Sequence, residues 1–437
     1  MPAELRVGLL GCGVVGQGVL RLVDESAKAI EARLGRPVKV QRVYLRDESK
    51  ARSAVPKELL TSDPAQVCAG EDIDVVVELM GGVDTAGKLV EAALRAKKPV
   101  VTANKALLAE KAHDLMALAE ANRVDLYFEA AVGGGIPVIR TLRESLASDR
   151  VLAIRAILNG TSNYILSQMQ HRGIGFAEAL KGAQAAGYAE ADPTLDVGGG
   201  DAAHKLSILT TLAFGVRVRT KDITTEGITD VDAIDIHFAK RFGYVFKPLS
   251  IAEAASDGSL VLRVHPALVP ESSMMAHVTN ALNTVQITSA ALGACMLTGA
   301  GAGAGPTAVS VVSDVVDVGR NIHSDAAGRV PHRAFREEVL KDARLRDIGE
   351  RVGEYYMRFT VSDRPGVLAE IAGILGQHSV SIAHLVQDAP DEQVEASVEV
   401  VLLTHAAREG SVQGALAKIN QLPHLRAPAR RFRIEEI

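Results

Sequence analysis

The stretch "LRVGLLGCGVVGQGVLRLVDESA" begins as a short apolar run, turns through Gly11, Gly13 and Gly16, and continues with apolar residues at helical spacing. A strand that passes through G-x-G-x-x-G into a helix leaves few folds open. The first glycine allows the tight turn, the second lets a pyrophosphate approach backbone, and the third lets helix pack on strand. With Val14 and Val15 between them, these residues form the candidate cofactor loop, because the helix start offers N–H groups and a positive dipole end to phosphate. Alternation continues through the strands "VKVQRVYL", "DIDVVVELM" and "KPVVTANK", with a helix over "TAGKLVEAALRAK". The pattern predicts an α/β chain with a mostly parallel sheet and right-handed crossovers, a Rossmann-like dinucleotide-binding domain.

The strand "VKVQRVYL", second in the domain, ends at Arg46 and Asp47. An acid at that tip holds the ribose hydroxyls of NAD, whereas an arginine meets the 2′-phosphate of NADP. Arg46 comes first and Lys57 follows downstream, which favours NADP; Asp47 keeps NAD open. "VVTANK" ends at Lys105, at the carboxyl end of a strand, where ligands of such sheets collect. Lys105 then faces the nicotinamide region, or Asn104 simply caps a helix beside a solvated lysine.

A chain of 437 residues exceeds one ordinary core and implies two or three domains. A net charge of -5 and a pI near 6.2 give no electrostatic footprint for nucleic acid or an anionic membrane. No apolar run reaches the ~20 residues that span a bilayer. Three scattered cysteines, Cys12, Cys68 and Cys295, fit a reducing, cytoplasmic setting.

In "VDLYFEAAVGGGIPVIRTL" a strand runs into three glycines, and Pro137 opens a helix. The triplet suits a hinge between domains, or a small cation ringed by carbonyls and anchored by Glu129. "VLAIRAILNGTSNYILSQM" reads as strand, polar turn and helix; Asn159, Thr161, Ser162 and Asn163 suit helix caps or a polar pocket. Residues 187 to 207, "GYAEADPTLDVGGGDAAHKLS", crowd Glu190, Asp192, Asp196 and Asp201 into a glycine-studded loop that Lys205 closes. A helix starting near Asp201 sets Asp201 and Lys205 on one face, the acid in the first turn. An isolated pair of this kind is usually a surface salt bridge. Here the apolar "LSILTTLAF" follows, so the polar head emerges from a core into a cleft. The chemistry that suits it is carbonyl reduction by NAD(P)H, which needs a cationic acid for the oxygen. A lysine serves when burial or a second ammonium, such as Lys105, lowers its pKa. The acids would attract an ammonium on an amino-acid-like substrate.

From Ala183 to Lys205 the pattern A-x-x-x-G-Y-x-E-x-D-P-x-x-D-V-x-G-x-D-x-x-x-K resembles the homoserine dehydrogenase signature. "GCGVVG", "TANK", "EAAVGGGIP", "NGTSNY" and "GAGAGPTA" extend the resemblance over nearly the whole chain. It implies reversible NAD(P)-linked interconversion of L-homoserine and L-aspartate 4-semialdehyde, a step towards threonine, methionine and isoleucine. Lys205 then matches the acid/base lysine, and Lys105 the lysine between cofactor and substrate that shares the proton transfer. Glu190 and Asp201 match the substrate-binding acids, with Asp196 nearby. Gly187, Gly303 and Gly305 would approach the cofactor. A sodium ion would lie among Glu129 and the carbonyls of Val132, Gly134 and Ile136. A different aldehyde-reducing dehydrogenase would not need the full 187–205 pattern, and a non-catalytic amino-acid sensor would not need Lys205.

The expected division is a dinucleotide-binding domain over 1–133, with 306–325 packing back on it, and an α+β substrate-binding, catalytic and dimerisation domain over 134–320. A charged linker, 321–350, precedes a C-terminal domain over 351–437. From Tyr355 that last domain reads strand, helix, strand, strand, helix, strand, the ferredoxin-like order. It resembles an ACT domain, most specifically at "DRPGVLAEIA", where Gly366 starts a helix. The resemblance implies an amino-acid effector such as threonine, or a dimerisation module in a homodimer or homotetramer. On this reading, deleting 351–437 abolishes threonine inhibition and spares basal activity.

Overall fold

The computed structural model describes residues 4–47, 55–387 and 397–437; the first two residues of the sequence-predicted strand "EASVEVVLLTH" lie outside them. The chain divides into two compact units of interleaved segments. The first comprises 1–160, 201–223 and 282–343, the second 161–200, 224–281 and 344–437. Among the described residues no helix is long and apolar enough to cross a membrane.

In the first unit the alternating pattern yields a six-stranded parallel sheet. Its strands run in the order Leu60–Thr61, Val38–Tyr44, Leu5–Leu10, Val75–Glu78, Val100–Thr102, Leu126–Tyr127. The order reverses between Leu5–Leu10 and Val75–Glu78, which opens a crevice at their carboxyl ends. The short central strands are apolar on both faces because both are covered, as parallel sheets require. Helix Val14–Glu25 lies on one face beside the much later helix Ala304–His323, whose Val311, Val315 and Val318 join Leu5, Leu9 and Val19 in one core. A Cβ on Gly18 would sit 2.4 Å from the Ala304 carbonyl oxygen, so the two helices meet backbone to backbone there. An antiparallel ribbon, Val151–Ile157 with Leu282–Ser289 and Gly293–Ala300, completes this unit.

The expected linker is not a free tether. Within 321–343, Arg333 is buried and pairs with Glu120 and Glu337, and Lys341–Asp342 forms a short parallel strand with Val216–Arg217. Glu120 and Val216–Arg217 come from much earlier in the chain, so the charged stretch is held by tertiary contacts.

In the second unit the C-terminal strands stand in the order Arg430–Ile434, Tyr355–Ser362, Ser397–Thr404, Ile382–Gln387, with helices Val367–Gln377 and Glu409–Ile419. This is the ferredoxin-like arrangement. Tyr355, Met357, Phe359 and Val361 face those helices. Tyr356 faces the other way, into a second core with Phe246, Phe432 and Phe238. The sheet does not end at Arg430–Ile434: Ala267 and Leu268 of strand Leu260–Pro270 pair in parallel with Arg433 and Ile434.

Candidate active site

Helix Gly200–Phe214 begins where the acidic loop ends, with Asp201 in its first turn and Lys205 one turn on. Most of its remaining residues are buried, so the polar head is fixed by a largely apolar body. Asp201 is 2% exposed and Lys205 7%. The Lys205 ammonium donates to Asp201 Oδ2 at 2.7 Å and to the Leu158 carbonyl at 2.7 Å. The other Asp201 oxygen lies 2.5 Å from the Lys105 ammonium, and Asn159 Nδ2 donates to Oδ2 at 2.9 Å. Burial works to raise the Asp201 carboxyl, but Lys205 and Lys105 outweigh it and hold it well below the usual carboxylate range. One carboxylate thus carries two ammoniums, one buried and one half-exposed.

Lys105 opens helix Lys105–Asn122, and Asn104 caps it by accepting the Leu107 N–H at 3.0 Å. Asn104 is thus the helix cap of the second reading, but the lysine beside it is not merely solvated: its ammonium reaches the buried acid. The Leu158 carbonyl is fixed in turn by Asn283 Nδ2 at 2.9 Å. Sequence inspection missed Leu158 and Asn283, since a backbone acceptor leaves no residue signature and the asparagine is 125 positions away.

At the cofactor loop, Gly11 has φ 92°, and a Cβ there would press on the Met80 and Leu79 backbone. The Gly11 N–H donates to the carbonyl of Tyr44, the last residue of the neighbouring strand, at 3.0 Å. Gly13 caps helix Val14–Glu25, and no described atom lies within 4 Å of where its Cβ would point. Gly16 packs on Gly11 and Cys12. Val14 is exposed and Val15 half-buried. This open, glycine-lined helix start fits a pyrophosphate. Arg46 and Lys57 are exposed beyond the tip of strand Val38–Tyr44. Gly303 and Gly305 are exposed at the start of helix Ala304–His323, which the Gly18–Ala304 contact brings beside the fingerprint helix.

The glycine triplet is a packed corner. A Cβ on Gly134 would lie 2.5 Å from the Gly301 backbone, and the Gly134 carbonyl accepts the Ser310 hydroxyl at 2.7 Å. Glu129 accepts the N–H groups of Ile139 and Arg140 at 2.8 Å each, and the Ile136 carbonyl accepts the Val138 N–H. Val132 is buried beside them. Burial raises the Glu129 carboxyl; burial and the Glu129 charge push Asp314 up to about 8. The corner thus gathers two buried acids, one of them paired with Arg140 at 3.4 Å, beside backbone carbonyl oxygens, the hard donor type that a small hard cation takes.

Glu190, Asp196 and Gly187 belong to the second unit. Glu190 and Gly187 are exposed, Asp196 is half-buried in the turn Thr194–Val197, and the Ser162 hydroxyl donates to the Asp196 carbonyl at 3.0 Å. Thr161 donates to the Tyr188 carbonyl and Asn163 to that of Val278. The polar turn therefore ties down the acidic loop as well as opening helix Gly160–Arg172.

The homoserine dehydrogenase of Neisseria gonorrhoeae is 42% identical over 433 residues, covering 99% of both chains. The chain belongs to the homoserine dehydrogenase family. Its catalytic-region model, homoserine dehydrogenase, matches residues 137–316, and the homoserine dehydrogenase NAD-binding domain matches 11–129. An ACT domain matches 355–424. The Corynebacterium glutamicum homoserine dehydrogenase is 39% identical over 98% of this chain and 95% of its own. The crystal structure of the Thiobacillus denitrificans homoserine dehydrogenase superposes with a TM-score of 0.93 at 43% identity, covering 99% of each chain. Homoserine dehydrogenases are oxidoreductases, and the two lysines on one acid lie within the part of the chain that these relatives share.

Proposed function

We propose that this chain interconverts L-homoserine and L-aspartate 4-semialdehyde, with Lys205 moving the proton. The observation that carries the reading is the Asp201 carboxylate between the Lys205 and Lys105 ammoniums. NAD(P), when bound, supplies or removes the hydride. Lys205 donates a proton to the aldehyde oxygen in reduction and takes one from the hydroxyl in oxidation. Asp201 keeps the lysine oriented through the cycle, and Lys105 adds positive charge beside the developing alkoxide. Glu190 and Asp196 attract the substrate ammonium.

Arg46 and Lys57, exposed past the second strand, support a preference for NADP. Glu129 with the carbonyls of Val132, Gly134 and Ile136 would hold a sodium ion, which would neutralise the buried charge at that corner and stiffen it. Gly187, Gly303 and Gly305 would border the cofactor. The ACT domain takes an amino-acid effector, threonine by preference; Gly366, left-handed at φ 94° where helix Val367–Gln377 starts, leaves its N–H groups approachable. The enzyme works in the cytoplasm as a homo-oligomer.

The test follows reduced-nicotinamide absorbance with homoserine, comparing NADP with NAD, with threonine added or withheld. Homoserine-dependent reduction that threonine slows is expected. No homoserine-dependent signal with either cofactor would sink the assignment.

A further inference from the structure

Glu78 ends the strand Val75–Glu78 with its carboxylate sealed from solvent, and it touches neither lysine of the acid–lysine cluster. Sealing a carboxylate from water is costly unless its oxygens are satisfied. Here they are. One oxygen accepts the Met80 N–H at 2.8 Å and the Gly81 N–H at 3.2 Å; the other accepts the Thr102 hydroxyl at 2.6 Å. Thr102 Oγ1 accepts the Asn104 N–H at 3.0 Å. Asn104 closes the ring, since its Nδ2 donates to the Gly82 carbonyl at 2.7 Å while its Oδ1 caps the helix. The next residue is Lys105.

The Lys105 side chain is 39% exposed, yet its ammonium sits on Asp201. A long, half-exposed lysine has many rotamers, so its head is well placed only if its backbone anchor does not move. That anchor is Asn104, and it is held from two sides by groups that Glu78 fixes: Thr102 and the turn 79–82. A carboxylate suits the centre of this ring because all three neighbours donate and it only accepts. Its charge also strengthens each bond. A glutamine would keep the two backbone bonds but turn an N–H towards Thr102 Oγ1, leaving the threonine proton without its acceptor.

We propose that Glu78 is a positioning residue for the proton step, setting the Lys105 ammonium against Asp201 through Thr102 and Asn104. This rests on the proposed part of Lys105 in turnover. The test is a double-mutant cycle in the full-length enzyme, Glu78→Gln with Lys105→Ala, reading kcat, KM for homoserine and thermal unfolding. Glu78→Gln is expected to lower kcat about tenfold or more, to change KM less, and to unfold close to the parent temperature. In the Lys105→Ala background it should add little further loss. Equal fold-losses in both backgrounds, or an unchanged kcat for Glu78→Gln, would overturn the proposal while leaving the role of Lys105 intact. Normal turnover by Lys105→Ala alone would remove that role and the proposal together. If Glu78→Gln does not fold, Thr102→Val breaks the same ring at a neutral link, and the cycle is read against the same outcomes.

Discussion

Arg433, in the last strand, donates to Glu226 at 2.7 Å across 207 residues of chain. The same guanidinium grips Glu409 of helix Glu409–Ile419, and Arg431 joins both acids. Nearby, Arg263 pairs with Glu435 at 3.0 Å, and Arg358 with Asp235 at 2.6 Å. The ACT strands are thus stitched by buried charge pairs and by strand pairing to the rest of the second unit.

That stitching changes what truncation does. Removing 351–437 strips strand Leu260–Pro270 of its parallel partner and leaves buried Asp235 without its arginine. A bare edge and an uncompensated buried charge favour aggregation. The truncated chain should be insoluble or inactive, not a deregulated enzyme as the linear sequence suggested. Soluble yield and size-exclusion profile check this; a soluble monodisperse product with full turnover would contradict it.

Stability should fall in acid through Glu226. Burial opposes its ionisation, but the Arg433 hydrogen bond and the two guanidiniums win and bring its pKa to about 2 from 4.5. A depressed folded-state pKa gives stabilisation that is present above the unfolded value and lost as pH drops from about 4.5 towards 2. Glu226→Gln should therefore lower the unfolding temperature near neutrality and flatten its decline over that acid window. Parallel curves for variant and parent would show that the pair is not responsible.

Lys205→Ala should cut turnover by ~10²-fold or more and leave cofactor affinity nearly unchanged, because the cofactor loop lies on other elements. Asp201→Asn should also slow turnover, since neither lysine then faces a charge. Steady-state kinetics and cofactor titration read both; turnover near normal for Lys205→Ala removes it from the chemistry.

Gly18→Ala probes helix packing. Its Cβ would enter the Ala304 carbonyl, so helix Val14–Glu25 must move away from Ala304–His323. Destabilisation of about 1–3 kcal/mol is expected by denaturant unfolding. An unchanged midpoint would mean that the helices separate freely.

Arg46→Ala should weaken NADP more than NAD, because only the former carries the 2′-phosphate. Titration with both cofactors decides; equal losses place that phosphate elsewhere.

What the sequence determined on its own was local and periodic. Strand–helix alternation with G-x-G-x-x-G foretold the parallel sheet, and four-residue spacing put Asp201 and Lys205 on one helix face, since both follow from backbone geometry over a few residues. Tertiary structure alone decided that the Lys105 ammonium sits on Asp201, that the Leu158 carbonyl, fixed by Asn283, holds Lys205, that the charged stretch after 321 is packed, and that Tyr356 looks into a second core. These contacts join segments far apart in the chain, and which segments meet depends on how whole faces pack.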